Sequence, residues 1–162
     1  MTALSAIYNT RLLELAANIP CCRRLEHADG TASAHSKLCG STIAVDVRVK
    51  DGKVTAFGQQ VKACLLGQAA ASVVGHNIIG TSTAELRQVG ATMRAMLKED
   101  GPPPKGRWAE LALLEPVKDY HARHTSTLLI FAALEKAIAQ AEAQASPAPA
   151  PTAAGNGRAV GA

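Results

Sequence analysis

Alternating apolar and polar residues predict a β-hairpin in the middle of the chain. Residues 41–50 read as a strand that places four branched side chains on one face, namely Ile43, Val45, Val47 and Val49. The dipeptide Asp51-Gly52 follows and favours the positive φ angles of a two-residue turn. Residues 54–62 then return as the second strand. The pattern therefore predicts an antiparallel hairpin with one buried face.

Helices are predicted on both sides of the hairpin, because apolar residues recur at helical spacing over residues 5–18, 64–77, 82–99, 108–114 and 126–141. Ser82, with Glu85 three residues later, forms a capping box at the start of the third helix. Pro116 is expected to end the fourth, because proline has no backbone N–H and its ring clashes with the preceding turn. Residues 21–37 have no clear period and are predicted to form a loop or an irregular edge strand.

The length of 162 residues suits one domain with a hydrophobic core. We predict that residues 1–144 form this domain. Residues 145–162 consist mostly of Pro, Ala and Gly, with Arg158 as their one charged residue. Such a composition offers little to bury, so this segment is predicted to be a disordered tail.

Charge and aromatic content argue against binding to nucleic acid. The 17 Lys and Arg exceed the 13 Asp and Glu by four, but the basic residues are spread along the chain. Aromatic residues make up only 3% of the sequence, too few for a surface on which bases stack. The charge is better interpreted as a solvated surface.

The sequence also argues against a membrane location. No run approaches the roughly 18 apolar residues of a membrane span, and the first 20 residues carry charges where a signal peptide has an apolar core. We therefore expect a cytoplasmic protein. Cysteines stay reduced in that compartment, so the four cysteines favour thiol chemistry or metal binding over disulfides.

Two cysteines flank the predicted hairpin and are the candidate reactive groups. Cys39 precedes the first strand, and Cys64 follows the second and opens a helix. The fold-back at the turn can bring the two thiols to one end of the sheet, which would supply half of a tetrahedral soft-metal site. The positive end of the helix would stabilise a Cys64 thiolate. The alternative is that both are small buried side chains.

The order of these features resembles a known family. A Cys-Gly pair, a hairpin, the helix "CLLGQAAASVV", a capped central helix and the segment "ARHTSTLLIFAALEKAI" are similar to iron-sulfur cluster assembly scaffolds of the IscU/NifU N-terminal type, within them to the SufU-like branch. The similarity covers roughly residues 5 to 140. It implies an α+β fold of the SufE/NifU-like kind, with a small antiparallel three-stranded sheet packed by four to five helices.

The resemblance also implies a site of three cysteines and an aspartate. The first two cysteines fall on Cys39 and Cys64, while the aspartate falls on Ser41 and the third cysteine on Ser126. Serine is a poor ligand for iron or zinc, because its hydroxyl must first be ionised. His124, two residues before Ser126, is the candidate to complete the site.

A second alignment remains open. The segment "LEPVK", residues 114–118, resembles the stretch that Isc-type scaffolds offer to a chaperone, and counting from it puts His121 at the third cysteine. Cys21 and Cys22 lie outside both alignments.

The function implied by the resemblance is that of a scaffold or carrier, and not of an enzyme. It would transiently bind iron or a nascent iron-sulfur cluster through Cys39 and Cys64 and pass it to apo iron-sulfur proteins. The partners implied are a cysteine desulfurase, apo iron-sulfur proteins and a chaperone. The alternatives are a zinc-bound sulfur acceptor that works with the desulfurase, and an interaction module of the same machinery without metal.

Overall fold

The structure of the chain, a computed structural model, describes residues 10–37 and 40–145. Its single sheet is antiparallel in the order β1-β2-β3, with strands Gly30–His35, Thr42–Lys50 and Lys53–Lys62. The α-helices in these ranges are α1 (Thr10–Ala17), α2 (Leu65–Asn77), α3 (Thr83–Lys98), α4 (His124–Thr127) and α5 (Leu129–Ala145). The expected α+β class, with a three-stranded antiparallel sheet and five helices, is confirmed.

The β2–β3 hairpin forms as its sequence pattern predicts. Asp51 and Gly52 have φ angles of 54° and 76°, as a two-residue turn of this kind requires. At the open end of the hairpin, Thr42 pairs with Lys62. The segment predicted as a loop or an irregular edge strand contains a regular edge strand, β1, whose last residue His35 pairs with Thr42.

The core lies between the inner face of the sheet and the helices. The inner face is apolar, because Ile43, Val45 and Val47 are fully buried. Helix α5 packs across β1 and β2, and α1 packs against α2. The polar side chain of Gln59 also enters this core, where its Nε2 donates to the carbonyls of Pro20 and Ala71 at 3.1 and 3.2 Å. Gln59 therefore ties the chain after α1 to both β3 and α2.

Two helix boundaries differ from those predicted. Pro116 lies inside a 3-10 segment, Gly106–Asp119, and does not end it, because the fixed φ of proline fits a 3-10 turn. The last predicted helix is broken at Leu128, which separates α4 from α5. The hydroxyls of Ser126 and Thr127 both donate to the Arg123 carbonyl, and such side-chain bonds compete with helical hydrogen bonds.

The outer face of the sheet is covered by the loop between α1 and β1. Asp46 points to this face and is only 1% exposed, although its strand pattern predicted a solvent-facing position. Arg24 donates to both of its carboxylate oxygens at 2.7 and 2.9 Å, and Thr31 and the Leu25 N–H add two further hydrogen bonds. These donors hold the pKa of Asp46 down at about 2, with the Arg24 hydrogen bond as the largest cause.

The close approach of the loop also depends on the neighbour of Asp46 on β3. Gly58 pairs with Asp46, and a Cβ atom there would lie 2.2 Å from the Arg23 carbonyl oxygen. Any larger residue would push the loop off the sheet, because that contact is with rigid backbone.

Several sequence predictions concern residues that the structure does not describe. Residues 5–9 of the first predicted helix and residues 146–162 of the predicted tail lie outside the described ranges. Helix α5 extends to Ala145, so the division into a domain of residues 1–144 and a tail of residues 145–162 stays a prediction. None of the helices in residues 10–37 and 40–145 is long and apolar enough to cross a membrane.

We predict that Asp46→Asn lowers the free energy of unfolding by about 2 kcal/mol at neutral pH, because the depressed pKa of Asp46 reflects stabilisation of the folded state. The ionised carboxylate stabilises the folded state fully when the pH is above the pKa of Asp46 in the unfolded chain, about 4. This stabilisation is lost as the pH falls toward the folded-state pKa of about 2. Urea unfolding of wild type and variant from pH 7 to pH 2, followed by circular dichroism, should therefore show the two curves converging in acid.

The control for this experiment is Asp100→Asn, which removes an exposed carboxylate paired with Lys118. Exposed ion pairs contribute little, so this variant should unfold close to wild type. A difference between Asp46→Asn and wild type that does not change with pH would contradict the prediction.

Candidate functional site

Cys64 stands where β3 passes into α2. It is the N-cap residue of α2, with extended backbone angles, and its side chain is partly exposed. Its carbonyl accepts from the Gln68 N–H, the first hydrogen bond of the helix. The thiol therefore lies at the N-terminal end of α2, and it makes no capping hydrogen bond to the helix.

Ser41 contacts Cys64 from the other side of the hairpin. Its hydroxyl oxygen accepts a hydrogen bond from the backbone N–H of Cys64 at 3.3 Å, and the residue is 3% exposed. Two backbone hydrogen bonds of 2.8 Å close the loop that leads to it, from Ser36 N to the Ser41 carbonyl and from Gly40 N to the Ser36 carbonyl. Cys39 belongs to this loop by sequence and lies outside the described residues.

Ser126, the position of the third cysteine in the resemblance, lies against the Cys64 thiol. The Cys64 Sγ is 3.5 Å from the Ser126 Oγ, and Ser126 is fully buried. Two sulfur ligands that are each about 2.3 Å from a tetrahedral metal lie roughly 3.8 Å apart. The separation of the two side-chain atoms therefore matches that of two ligands on one metal, although the hydroxyl replaces a thiol.

A glycine permits this contact. Gly67 lies in the first turn of α2, and a Cβ atom there would approach the Ala63 Cβ to 2.9 Å and the Ser126 carbonyl oxygen to 3.0 Å. Gly67 thus lets α2 lie close to the chain that carries Ser126.

His124 is buried in the segment that carries Ser126. It is 4% exposed, and its Nε2 lies 3.1 Å from the Val117 carbonyl oxygen and 3.0 Å from that of Lys118. Since a carbonyl oxygen only accepts hydrogen bonds, Nε2 must carry a hydrogen. These two hydrogen bonds hold the ring in place.

The second alignment, counted from the LEPVK segment, receives no support from this geometry. His121 is exposed, and its ring stacks obliquely on that of His124 at 5.0 Å. Ser126 contacts the Cys64 thiol instead. Leu114 and Val117 of the segment are buried in the core.

The described residues bring Cys64 together with two serines and no further soft ligand. Within residues 10–37 and 40–145, no group of three or more His, Cys, Asp and Glu side chains is arranged to hold a metal ion. From the sequence, Ser41 and Ser126 were identified only as replacements of the family's aspartate and third cysteine. Their contacts with Cys64 were not predicted. No local pattern encodes those contacts, because the three residues are far apart in the chain.

The fold and the cysteine at the start of α2 define a NifU-type α+β domain. A crystal structure of a nitrogen-fixing NifU-like protein (N-terminal) from Brucella abortus has 49% sequence identity and a TM-score of 0.87, and the match covers 89% of this chain and 100% of that one. The chain belongs to the NifU-like N-terminal family. The resemblance to the IscU/NifU and SufU scaffolds is thereby confirmed.

Two more distant structures share the fold. A putative iron-sulfur cluster assembly scaffold protein for the SUF system from Fervidobacterium islandicum AW-1 has 19% identity and a TM-score of 0.75, covering 83% of this chain and 98% of that one. A hypothetical protein has 19% identity and a TM-score of 0.74 with the same coverage. Neither a protein-family model nor a curated protein matches the sequence. Membership of the NifU-like N-terminal family agrees with the expectation that this chain is not an enzyme.

We predict that Ser41→Ala lowers the free energy of unfolding by about 1 kcal/mol, because the Cys64 N–H loses its acceptor. Ser33→Ala is the matched control, since Ser33 is exposed on β1 and its hydroxyl lies outside the site. Thermal or urea unfolding of both variants measures the difference. Equal stability of the two variants would show that the Ser41 hydroxyl does not support the start of α2.

Proposed function

We propose that this protein is an iron-sulfur cluster assembly scaffold or carrier, which transiently binds iron or a nascent cluster and passes it to apo-proteins. The observation that carries the proposal is the 3.5 Å contact between the Cys64 sulfur and the hydroxyl of Ser126. This contact supports the alignment in which Cys64 is a cluster cysteine of the family. The membership of the chain in the NifU-like N-terminal family supports it independently.

In this proposal, Cys64 and Cys39 supply the thiolates that hold the cargo, because sulfur ligands are the ones that iron-sulfur clusters require. The turn that joins β2 to β3 brings the chain beside Cys39 to Cys64, as the Ser41 contact illustrates. Cys64 is the N-cap residue of α2 and is partly exposed, so its sulfur is accessible to a cargo. His124 would contribute its imidazole as the third ligand.

The serine at position 126 suits release of the cargo. A neutral hydroxyl binds iron weakly, so a site with two thiolates and one imidazole holds a cluster less tightly than one with three thiolates. Such a site fits a protein that delivers its cargo rather than stores it. A cysteine desulfurase as sulfur donor and apo iron-sulfur proteins as acceptors are the partners that this role requires.

The zinc-bound sulfur acceptor gains no support from the described residues. In the family pattern the third cysteine is the residue expected to help accept sulfur, and Ser126 stands at that position, with its hydroxyl 3.5 Å from the Cys64 sulfur. Iron or an iron-sulfur cluster therefore remains the proposed cargo.

We predict that anaerobic reconstitution with iron and sulfide loads the wild-type protein. Cys64→Ser and Cys39→Ser should each weaken iron retention by more than about tenfold. Loss of a residue that only orients a metal ligand already lowers metal affinity by about tenfold, and these variants lose the ligand itself. Visible absorption and iron analysis after gel filtration measure the loading.

The matched control is Cys22→Ser, which removes an exposed thiol whose Sγ lies 3.3 Å from the Ile19 carbonyl oxygen, away from the family pattern. It should load like wild type. Two results would contradict the proposal: no uptake of iron by wild type, or uptake by all three variants equal to that of wild type. The chain would then act without a thiolate-bound cargo, as an interaction module.

We predict that Ser126→Cys retains a reconstituted cluster longer than wild type, because it restores a thiolate beside Cys64. The time for half of the cluster to pass to a chelator should lengthen by about tenfold or more, given the softness of the added ligand. Ser126→Ala is the control, since it removes the hydroxyl without adding sulfur. Faster loss from Ser126→Cys than from wild type would refute the assignment of position 126 to the site.

A further inference from the structure

A basic groove lies beside the candidate site, between β1, α3 and the helices α4 and α5. Its volume is about 360 Å³, and its apolar floor includes Ala34, Leu128 and Ala132. Its rim carries the cationic side chains of Arg94, Lys98 and Lys136. Among the described residues, no carboxylate lines the groove.

The charges of the groove are only partly compensated. Arg94 donates to both carboxylate oxygens of Glu135, at 2.7 and 2.8 Å, so this pair is close to neutral. Lys136 points along the edge of β1, with its Nζ 3.4 Å from the Ser33 carbonyl oxygen. Lys98 and Lys136 are both exposed, and their two positive charges face whatever enters the groove.

The groove adjoins the candidate site along two short paths. His35 lines one end of the groove and pairs with Thr42 across β1 and β2. Thr42 follows Ser41, and the Ser41 hydroxyl accepts a hydrogen bond from the Cys64 N–H. Thr125 lines the same groove and directly precedes Ser126, which contacts the Cys64 thiol. A molecule bound in the groove would therefore lie beside the segments that carry Ser41 and Ser126.

We infer that this groove docks an acidic segment of the protein that exchanges cargo at Cys64. Carboxylates on such a segment pair with Lys98 and Lys136, while its apolar side chains contact Leu128 and Ala132. Complementary charge of this kind raises the rate of encounter and fixes the orientation of a partner. The inference rests on the proposed function, which identifies the exchanged cargo as iron or an iron-sulfur cluster. The positive charge of the groove is the reason that the docked segment is acidic.

The test measures binding of fluorescein-labelled hexaglutamate to the full chain at low ionic strength by fluorescence anisotropy, with hexaglutamine as the neutral peptide. The variant K98E/K136E should weaken hexaglutamate binding by about tenfold or more, because two attractive charges become repulsive. The matched control is K50E/K53E, which makes the same charge change at the turn end of the hairpin, where Lys50 pairs with Lys53. When the comparison is repeated at about 0.1 M salt, K50E/K53E should change binding by less than about threefold, since charges more than about 10 Å from the groove are then largely screened.

Four outcomes would overturn the inference. The first two are no binding of hexaglutamate and equal weakening of its binding by both double variants. The other two are hexaglutamine binding as tight as that of hexaglutamate, and binding of an oligothymidylate that is tighter than that of hexaglutamate and depends on Lys98 and Lys136. Circular dichroism checks that each variant is folded.

Iron loading of the same variants separates this inference from the proposed function. K98E/K136E should load iron and sulfide like wild type, because neither lysine contacts Cys64. Loading without selective peptide binding refutes the groove alone. Selective peptide binding without loading of wild type refutes the proposed cargo and leaves an acidic-peptide site beside Cys64.

Discussion

The pairing of Thr42 with Lys62 at the open end of the hairpin determines the geometry of the site. It brings the chain that enters β2 next to the chain that leaves β3, so that Ser41 and Cys64 meet across the end of the sheet. The same end receives Ser126 from α4. Three segments that are distant in sequence therefore meet at Cys64, and the register of β2 against β3 sets the position of the first two relative to each other.

Buried polar groups hold the rest of the fold around that hairpin. Asp46 anchors the loop between α1 and β1 on the outer face of the sheet. Gln59 anchors the beginning of the same loop, at Pro20, to the core on the inner face. Both side chains contact the chain that follows α1, from opposite faces of the sheet. Because a buried polar group left without a partner is costly, these contacts select one arrangement of an otherwise irregular segment.

The side chains near Cys64 and in the segment that carries Ser126 differ in how firmly they are held. Ser126 is fully buried, and His124 is fastened through Nε2 to the backbone of the 3-10 segment. Cys64, in contrast, is partly exposed at the helix start. A firm inner wall with an accessible thiol fits exchange of a cargo with another protein, and the basic groove beside it offers a surface for that encounter.

Local patterns in the sequence were sufficient for the hairpin, the capped start of α3 at Ser82, the position of Cys64 at the start of α2 and the alignment of Ser126 with the third cysteine of the family. Each of these follows from periodicity, from turn and cap residues, or from spacing within a recognisable family pattern. The tertiary structure alone decided that Asp46 is buried, that Pro116 lies within a 3-10 segment, that Leu128 interrupts the last helix and that His124 is held by two carbonyls. Burial and hydrogen bonding depend on partners that folding brings from elsewhere in the chain, and a local pattern does not specify those partners.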